Sequence, residues 1–206
     1  MNANELVETT AEHEAKRAHV RTMWAGVAER WAEHADAIDE RSEELTRSML
    51  TKANLGSGNR VLELACGAGG LGLAAAAPVG PEGVVVLSDA VPAMVEAAGA
   101  RVAVRGFTNV RTATRDLEQI DEPDGAFDVV LCREGLKLSV RTYVRVQNLV
   151  PGTTKNQVNE FTALPWVVNV DLRLHDSCTC SIPVAGIGRA WVPPPDPGRP
   201  GTGARQ

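Results

Sequence analysis

No apolar run in the sequence approaches the roughly 18 residues that read as a membrane-spanning helix. The polar, acidic opening from Met1 to Arg17 also lacks the basic and then apolar segments of a secretory signal. These two absences predict a chain without a membrane span that works in the cytoplasm. Cysteine is scarce: Cys66, Cys132, Cys178 and Cys180 are too few and too unevenly spaced for a disulfide scaffold. Cys178-Thr-Cys180 has no second pair or nearby His cluster to complete four ligands, so no metal site is expected. An excess of positive charge is missing too. With 21 Lys and Arg against 26 Asp and Glu, the net charge is -5 and the pI about 5.4, and no nucleic-acid partner is expected. There is no internal repeat.

The length of 206 residues and 44% hydrophobic content suffice for one core. The averages hide a break after Leu136. The last 70 residues hold 8 of the basic and 4 of the acidic side chains, a net of +4, together with 8 of the 12 prolines. The first 136 residues keep 13 basic and 22 acidic side chains, a net of -9.

Val20, Met23, Trp24, Val27, Trp31 and Ile38 recur at helical spacing and predict one helix over about Glu12 to Ala37, with a second over about Ser42 to Ala53. The period then changes. Arg60 to Cys66 reads as a strand, Gly67-Ala-Gly-Gly70 as a tight turn, and Leu71 to Ala77 as a helix stopped by Pro78, Gly80 and Pro81. Val84 to Ser88 is a second strand whose unbroken apolar character suits burial on both faces. Pro92 opens a helix continuing to about Val104, Asn109 to Thr114 is a third strand, and Gly125 to Cys132 gives a turn and a fourth. This is the grammar of an open α/β sheet.

After Leu136 the grammar stops. Val140 to Val150 and Trp166 to Leu174 alternate like strands, with no helix between them for a parallel crossover. Trp191 to Gln206 is Pro- and Gly-rich and is expected to be disordered. Without a following strand the fourth becomes an unpaired edge, unless Val140 to Val150 covers it.

Ligands of open α/β sheets bind beyond the carboxyl ends of the strands. Those ends carry the Gly67 to Gly70 turn, Asp89, Asp116 and Arg133-Glu134. The glycines let backbone approach a ligand closely, and Asp89 is placed to accept two hydrogen bonds from a ribose diol. Gly67-Ala-Gly-Gly-Leu-Gly72 matches G-x-G-x-x-G with Asp89 about 20 residues on, so a dinucleotide (NAD) site is formally open. Glu63 speaks against it. A carboxylate in the first strand repels a pyrophosphate but attracts the sulfonium and ammonium groups of S-adenosyl-L-methionine. Asp116 adds an acceptor suited to an adenine amine.

Val61-Leu-Glu-Leu-Ala-Cys-Gly-Ala-Gly-Gly70, Val85-Val-Leu-Ser-Asp89 with Met94, Arg115-Asp-Leu117 and Phe127-Asp-Val-Val-Leu131 resemble the successive motifs of class I S-adenosylmethionine-dependent methyltransferases. The style is similar to the ubiquinone/menaquinone-biosynthesis C-methyltransferase group, over about residues 15 to 136. The resemblance implies a Rossmann-like sheet, incomplete after its fourth strand, with N-terminal lid helices and an irregular or β-like tail. It divides the chain into a helical lid (1–55), a cofactor-binding α/β half-domain (56–136), an atypical segment (137–190) and the Pro/Gly-rich end (191–206). It places Glu63, Ala65, Gly67 and Gly69 at the methionine end of the cofactor, Asp89 at the ribose, Asp116 and Leu117 at the adenine, and Arg133 near the methionine moiety. The implied activity is methyl transfer to a small-molecule acceptor. Glu134 and His34 are candidate bases. Leu149-Val-Pro-Gly-Thr153 is only faintly similar to the family's next turn, so the alternative is a truncated or frameshifted, inactive relative. An NAD-dependent oxidoreductase is the third reading.

Each residue also has a structural alternative. Glu63 can bind loop N–H groups, Asp89 can cap the next helix and Asp116 can form a turn. Trp24 and Trp31 can be core, and Arg133 can secure the end of the fourth strand.

Overall fold

The computed structural model describes residues 3–135 and 167–168. Four helices come first: α1 (Ala3–Ala25), α2 (Ala28–Glu33), α3 (Ala35–Arg41) and α4 (Glu43–Ala53). The single helix expected over Glu12 to Ala37 is therefore broken at Gly26-Val27 and again at His34. Gly26 is a poor helix former, and breaking there lets α2 and α3 change direction while the apolar stripe stays on the inner side. Asn54, in left-handed backbone at φ 48°, ends α4.

β1 (Arg60–Leu64), α5 (Gly70–Val79), β2 (Val84–Asp89), α6 (Pro92–Arg105), β3 (Val110–Thr114) and β4 (Val129–Leu131) follow the predicted order. Pro78 lies inside the last turn of α5 rather than stopping it. One residue from the end, it has no N–H to donate to the carbonyl four residues back, and Gly80, at φ 69°, then takes the chain out of the helix.

All strands are parallel, in the order β3-β2-β1-β4-β5, where β5 is Val167–Val168. Among the described residues, β4 is followed in the sheet by this two-residue strand, in register Val130↔Val167 and Leu131↔Val168. It falls within Trp166 to Leu174, the stretch that alternates like a strand, and runs parallel to β4. Residues 132–166 supply more chain than the dozen residues a parallel connection requires. The segment expected to cover β4, 140–150, lies outside the described residues, as do the disordered-tail expectation for 191–206 and Cys178-Thr-Cys180.

Period-two alternation sorts the strands onto two cores. Val61, Val85, Val129 and Leu131 pack with Met49, Leu71, Leu73, Val79 and Ala98 under α4, α5 and α6. Leu62, Leu64 and Val130 pack on the opposite face with Ile120, Phe127 and Cys132. Asn109 Nδ2 donates to the carbonyls of Ala76 and Gly80, fastening the end of α5 to the start of β3. Among the described residues, no helix is long and apolar enough to cross a membrane.

Candidate cofactor site at the strand ends

The parallel order brings the carboxyl ends of β1, β2, β3 and β4 to one side of the sheet, and the chain-reversing backbone collects there. Ala65, at φ 51°, directly after β1, and Glu134, at φ 69°, three residues past β4, are left-handed. Such conformations are costly for a residue with a Cβ and cluster at functional turns. Gly135 closes against this turn, where a side chain would collide with Ala65 and Cys132.

Gly67 and Gly69 have φ of 54° and 82°, which glycine adopts freely. The two have different neighbours. A Cβ on Gly67 would lie 3.1 Å from Trp31 Nε1, so the indole edge rests on the loop. On Gly69 it would lie 2.8 Å from Leu87, so this glycine serves helix–sheet packing. Gly72 does the same one turn on, where a side chain would overlap Leu87 and the Glu63 carboxylate.

Glu63 is 2% exposed and lies on the α5 face of β1, with Oε2 accepting the Gly72 N–H at 2.8 Å. Its local role is thus the alternative foreseen for it, a carboxyl closing the first turn of α5. Burial pushes its pKa from 4.5 up to about 8, and the charge of Arg133 and the Gly72 N–H only partly oppose that rise. The carboxyl is therefore neutral below that pH. The electrostatic argument from the sequence assumed an ionised group, and the fold changes that starting state.

Asp89 joins two strand ends. Its Oδ2 accepts the Gly67 N–H at 2.9 Å, and Oδ1 accepts the Val91 N–H at 2.9 Å. Burial raises its pKa, against the pull of the Val91, Gly67 and Ala90 N–H groups. With three N–H groups drawing on it, the carboxylate keeps about one of its four acceptor directions. Asp116 Oδ1 accepts the Glu118 N–H at 2.8 Å and so forms its own turn. Asp116 Oδ2 receives Arg17 Nη2 at 2.6 Å and Arg21 Nη1 at 3.2 Å, both from α1. Leu117 packs beside the Ile120 and Phe127 cluster.

Arg133 turns toward the N-terminal helices. Its Nη1 donates to Thr46 Oγ1 at 3.0 Å, and its Nη2 lies 3.8 Å from Asp39 Oδ1. Asp39 was not singled out in the sequence, yet its carboxylate lies where a Gly70 side chain would be. Arg101 holds it there at 2.6 Å, while also donating to Asp36 Oδ1 at 2.7 Å and to the Ala68 carbonyl at 2.8 Å. Nothing in the sequence marks this cluster, because Asp39 and Arg101 are 62 residues apart on amphipathic helices. Trp24 and Trp31 meet edge to face, 5.2 Å apart at 88°, over Ala28, Val91 and Met94. They are a small core of their own, and Trp31 also reaches the glycine loop. His34 is exposed at the α2–α3 junction, and Glu134 is half-buried. Among the described residues, no group of three or more His, Cys, Asp or Glu side chains could hold a metal ion.

A parallel 3-2-1-4-5 sheet with a glycine turn after β1 and an acid at the end of β2 defines a Rossmann-like α/β domain. Its family is narrower than that class. The methyltransferase-domain family model matches residues 55–160, and the chain belongs to that family. Demethylmenaquinone methyltransferase of Geobacillus kaustophilus is 28% identical over 144 residues, 69% of this chain and 61% of the relative. The ubiquinone/menaquinone biosynthesis C-methyltransferase UbiE of Pseudomonas putida is 37% identical over 103 residues, 47% of this chain and 40% of that protein. A solved SAM-dependent methyltransferase from Aquifex aeolicus overlays with a TM-score of 0.45 at 25% identity, covering 47% of this chain and 52% of that one. The chain thus spans less than two thirds of the length of these curated relatives.

Proposed function

We propose that the strand ends bind S-adenosyl-L-methionine and that the protein transfers its methyl group to a small-molecule acceptor. The observation that carries this reading is the bond from Gly67 N–H to Asp89 Oδ2, which locks the glycine turn beside an acid that keeps a free acceptor direction. It occurs in a chain of the methyltransferase-domain family. The side chains present fit an adenosyl amino acid. Asp89 offers an acceptor to a diol, Glu63 offers a carboxyl that a neighbouring cation would ionise, and Arg101 and Arg133 are donors on the glycine-loop side. Asp116 and the Leu117 backbone would frame the base. When bound, the sulfonium supplies an already activated methyl group, so the protein's contribution is alignment and exclusion of water.

Trp31 and Asp39, both placed on the glycine loop, would form the wall nearest the methionine end. The acceptor is read as a small molecule because the two curated relatives are named for quinone biosynthesis, and the working place is read as the cytoplasm. The division at residues 55, 136 and 190 is retained as part of this proposal. Calorimetric titration with S-adenosyl-L-methionine, S-adenosyl-L-homocysteine and NAD tests the assignment. Micromolar binding of the two adenosyl ligands and none of NAD is expected. Binding of NAD alone overturns it.

A further inference from the structure

Asp116 stands at the end of β3 with a carboxylate that already has occupants. Its Oδ2 takes Arg17 and Arg21, at 2.6 and 3.2 Å, and its Oδ1 takes the Glu118 N–H at 2.8 Å. A carboxylate offers about four acceptor sites, so roughly one remains. The occupants come from a single face of α1, where Arg17, Arg21 and Trp24 follow at spacings of four and three. The same face continues into the Trp24–Trp31 pair over Val91 and Met94. Arg17 is largely buried, with its side chain 12% exposed, yet its Nε–H finds no hydrogen-bond partner. That nitrogen lies 3.6 Å from Glu118 Oε2, an ion pair without a bond. The arginine therefore sits in this seat without full satisfaction of its donors.

We infer that Arg17 and Arg21 are internal competitors for the nucleobase seat, so that docking of α1 and binding of an adenine amine at Asp116 oppose one another. This inference rests on the reading of Asp116 as a nucleobase acceptor. Two guanidiniums present to the carboxylate the kind of N–H donors that an exocyclic amine would present, and they do so with charge assistance. A neutral amine bound there has either the single remaining acceptor site or one that an arginine vacates. Glu14 adjusts the contest from outside. It draws on Arg17 Nη1 at 2.9 Å and Arg21 Nη2 at 3.2 Å. Each guanidinium thus bridges Glu14 and Asp116 through different nitrogens, and Glu14 shares its charge. Opposition of this kind is a coupling free energy between two binding events, and such couplings typically change affinity by about 5- to 150-fold.

The test uses adenosine, which is uncharged and carries the base without the amino-acid arm. Its affinity is measured by calorimetry on the full chain, on R17Q/R21Q and on E14Q, with S-adenosyl-L-homocysteine as a second probe. R17Q/R21Q is expected to bind adenosine about tenfold more tightly. E14Q, which leaves the guanidiniums wholly to Asp116, is expected to bind it about twofold more weakly, the modest effect of an exposed ion pair. Weaker binding by a folded R17Q/R21Q means that the arginines build the seat, and overturns the inference. Equal binding by the full chain and R17Q/R21Q overturns the coupling while leaving the cofactor assignment standing. No adenosine or S-adenosyl-L-homocysteine binding by any of the three proteins overturns that assignment and the inference with it. If R17Q/R21Q fails to fold, E14Q decides: unchanged or tighter adenosine binding overturns the inference.

Discussion

Replacing Glu63 with Gln removes a single titration from the centre of the sheet while keeping an oxygen that can accept the Gly72 N–H. The effect on stability follows from linkage between proton binding and folding. Below pH 4.5 the carboxyl is protonated in both folded and unfolded chains and contributes no pH dependence. Between 4.5 and about 8 the unfolded chain has released the proton and the folded chain retains it, because burial holds the folded pKa up. The folded state then binds more protons, so its stability falls as pH rises, by about 1.4 kcal/mol per pH unit. Summed over that interval, the wild-type protein loses about 5 kcal/mol that E63Q retains. Domains of this size are stable by about 5–15 kcal/mol, so the loss is large. Urea unfolding of both proteins from pH 5 to 9 measures it. The stability of E63Q relative to wild type is expected to climb steadily between pH 5 and 8 and then level off. The Asp89 carboxyl, also raised by burial, is common to both proteins and cancels in the difference. Parallel stability curves across this range would refute the reasoning, because they would mean that the folded carboxyl ionises where the unfolded one does.

Gly72→Ala drives a methyl group into Leu87 and Glu63, and is expected to cost about 1–3 kcal/mol in urea unfolding; an unchanged midpoint would mean that α5 shifts freely on β2. Asp89→Ala should weaken adenosine binding about tenfold or more by removing charged acceptors, with unchanged affinity counting against the ribose role. Arg101→Lys keeps the charge but cannot reach Asp36, Asp39 and the Ala68 carbonyl together. It should lower stability by about 1–2 kcal/mol in thermal or urea unfolding, and an effect as small as that of Arg47→Ala, which breaks an exposed helical pair, would show that the three-way clamp adds nothing.

The strands were readable because Val84 to Leu87 are apolar on both faces, as are Val61, Leu62 and Leu64 around the single acid Glu63. The turns were readable because Gly67 and Gly69 occupy backbone that other residues avoid. The helix over Glu12 to Ala37 was misread as continuous because its stripe remains in phase across Gly26. Only the packing of Trp24 and Trp31 on Val91 and Met94 shows where the chain bends. The Asp39–Arg101 and Arg17–Asp116 pairs left no local trace, since their partners stand 62 and 99 residues apart. β5 lies within Trp166 to Leu174, which alternates like a strand, but alternation carries no signal of the strand it joins or of its direction.

By itself, the sequence determined the order of strands and helices and the residues standing at each strand's end, because periodicity and glycine conformation are local properties. The tertiary structure alone decided the state of those residues. It pushed the Glu63 pKa up to about 8 by enclosing it, bound both oxygens of Asp89 to backbone N–H groups, and gave Asp116 Oδ2 to two arginines from α1. Desolvation and ion pairing depend on which distant groups come within a few ångströms, and spacing along the chain does not encode that.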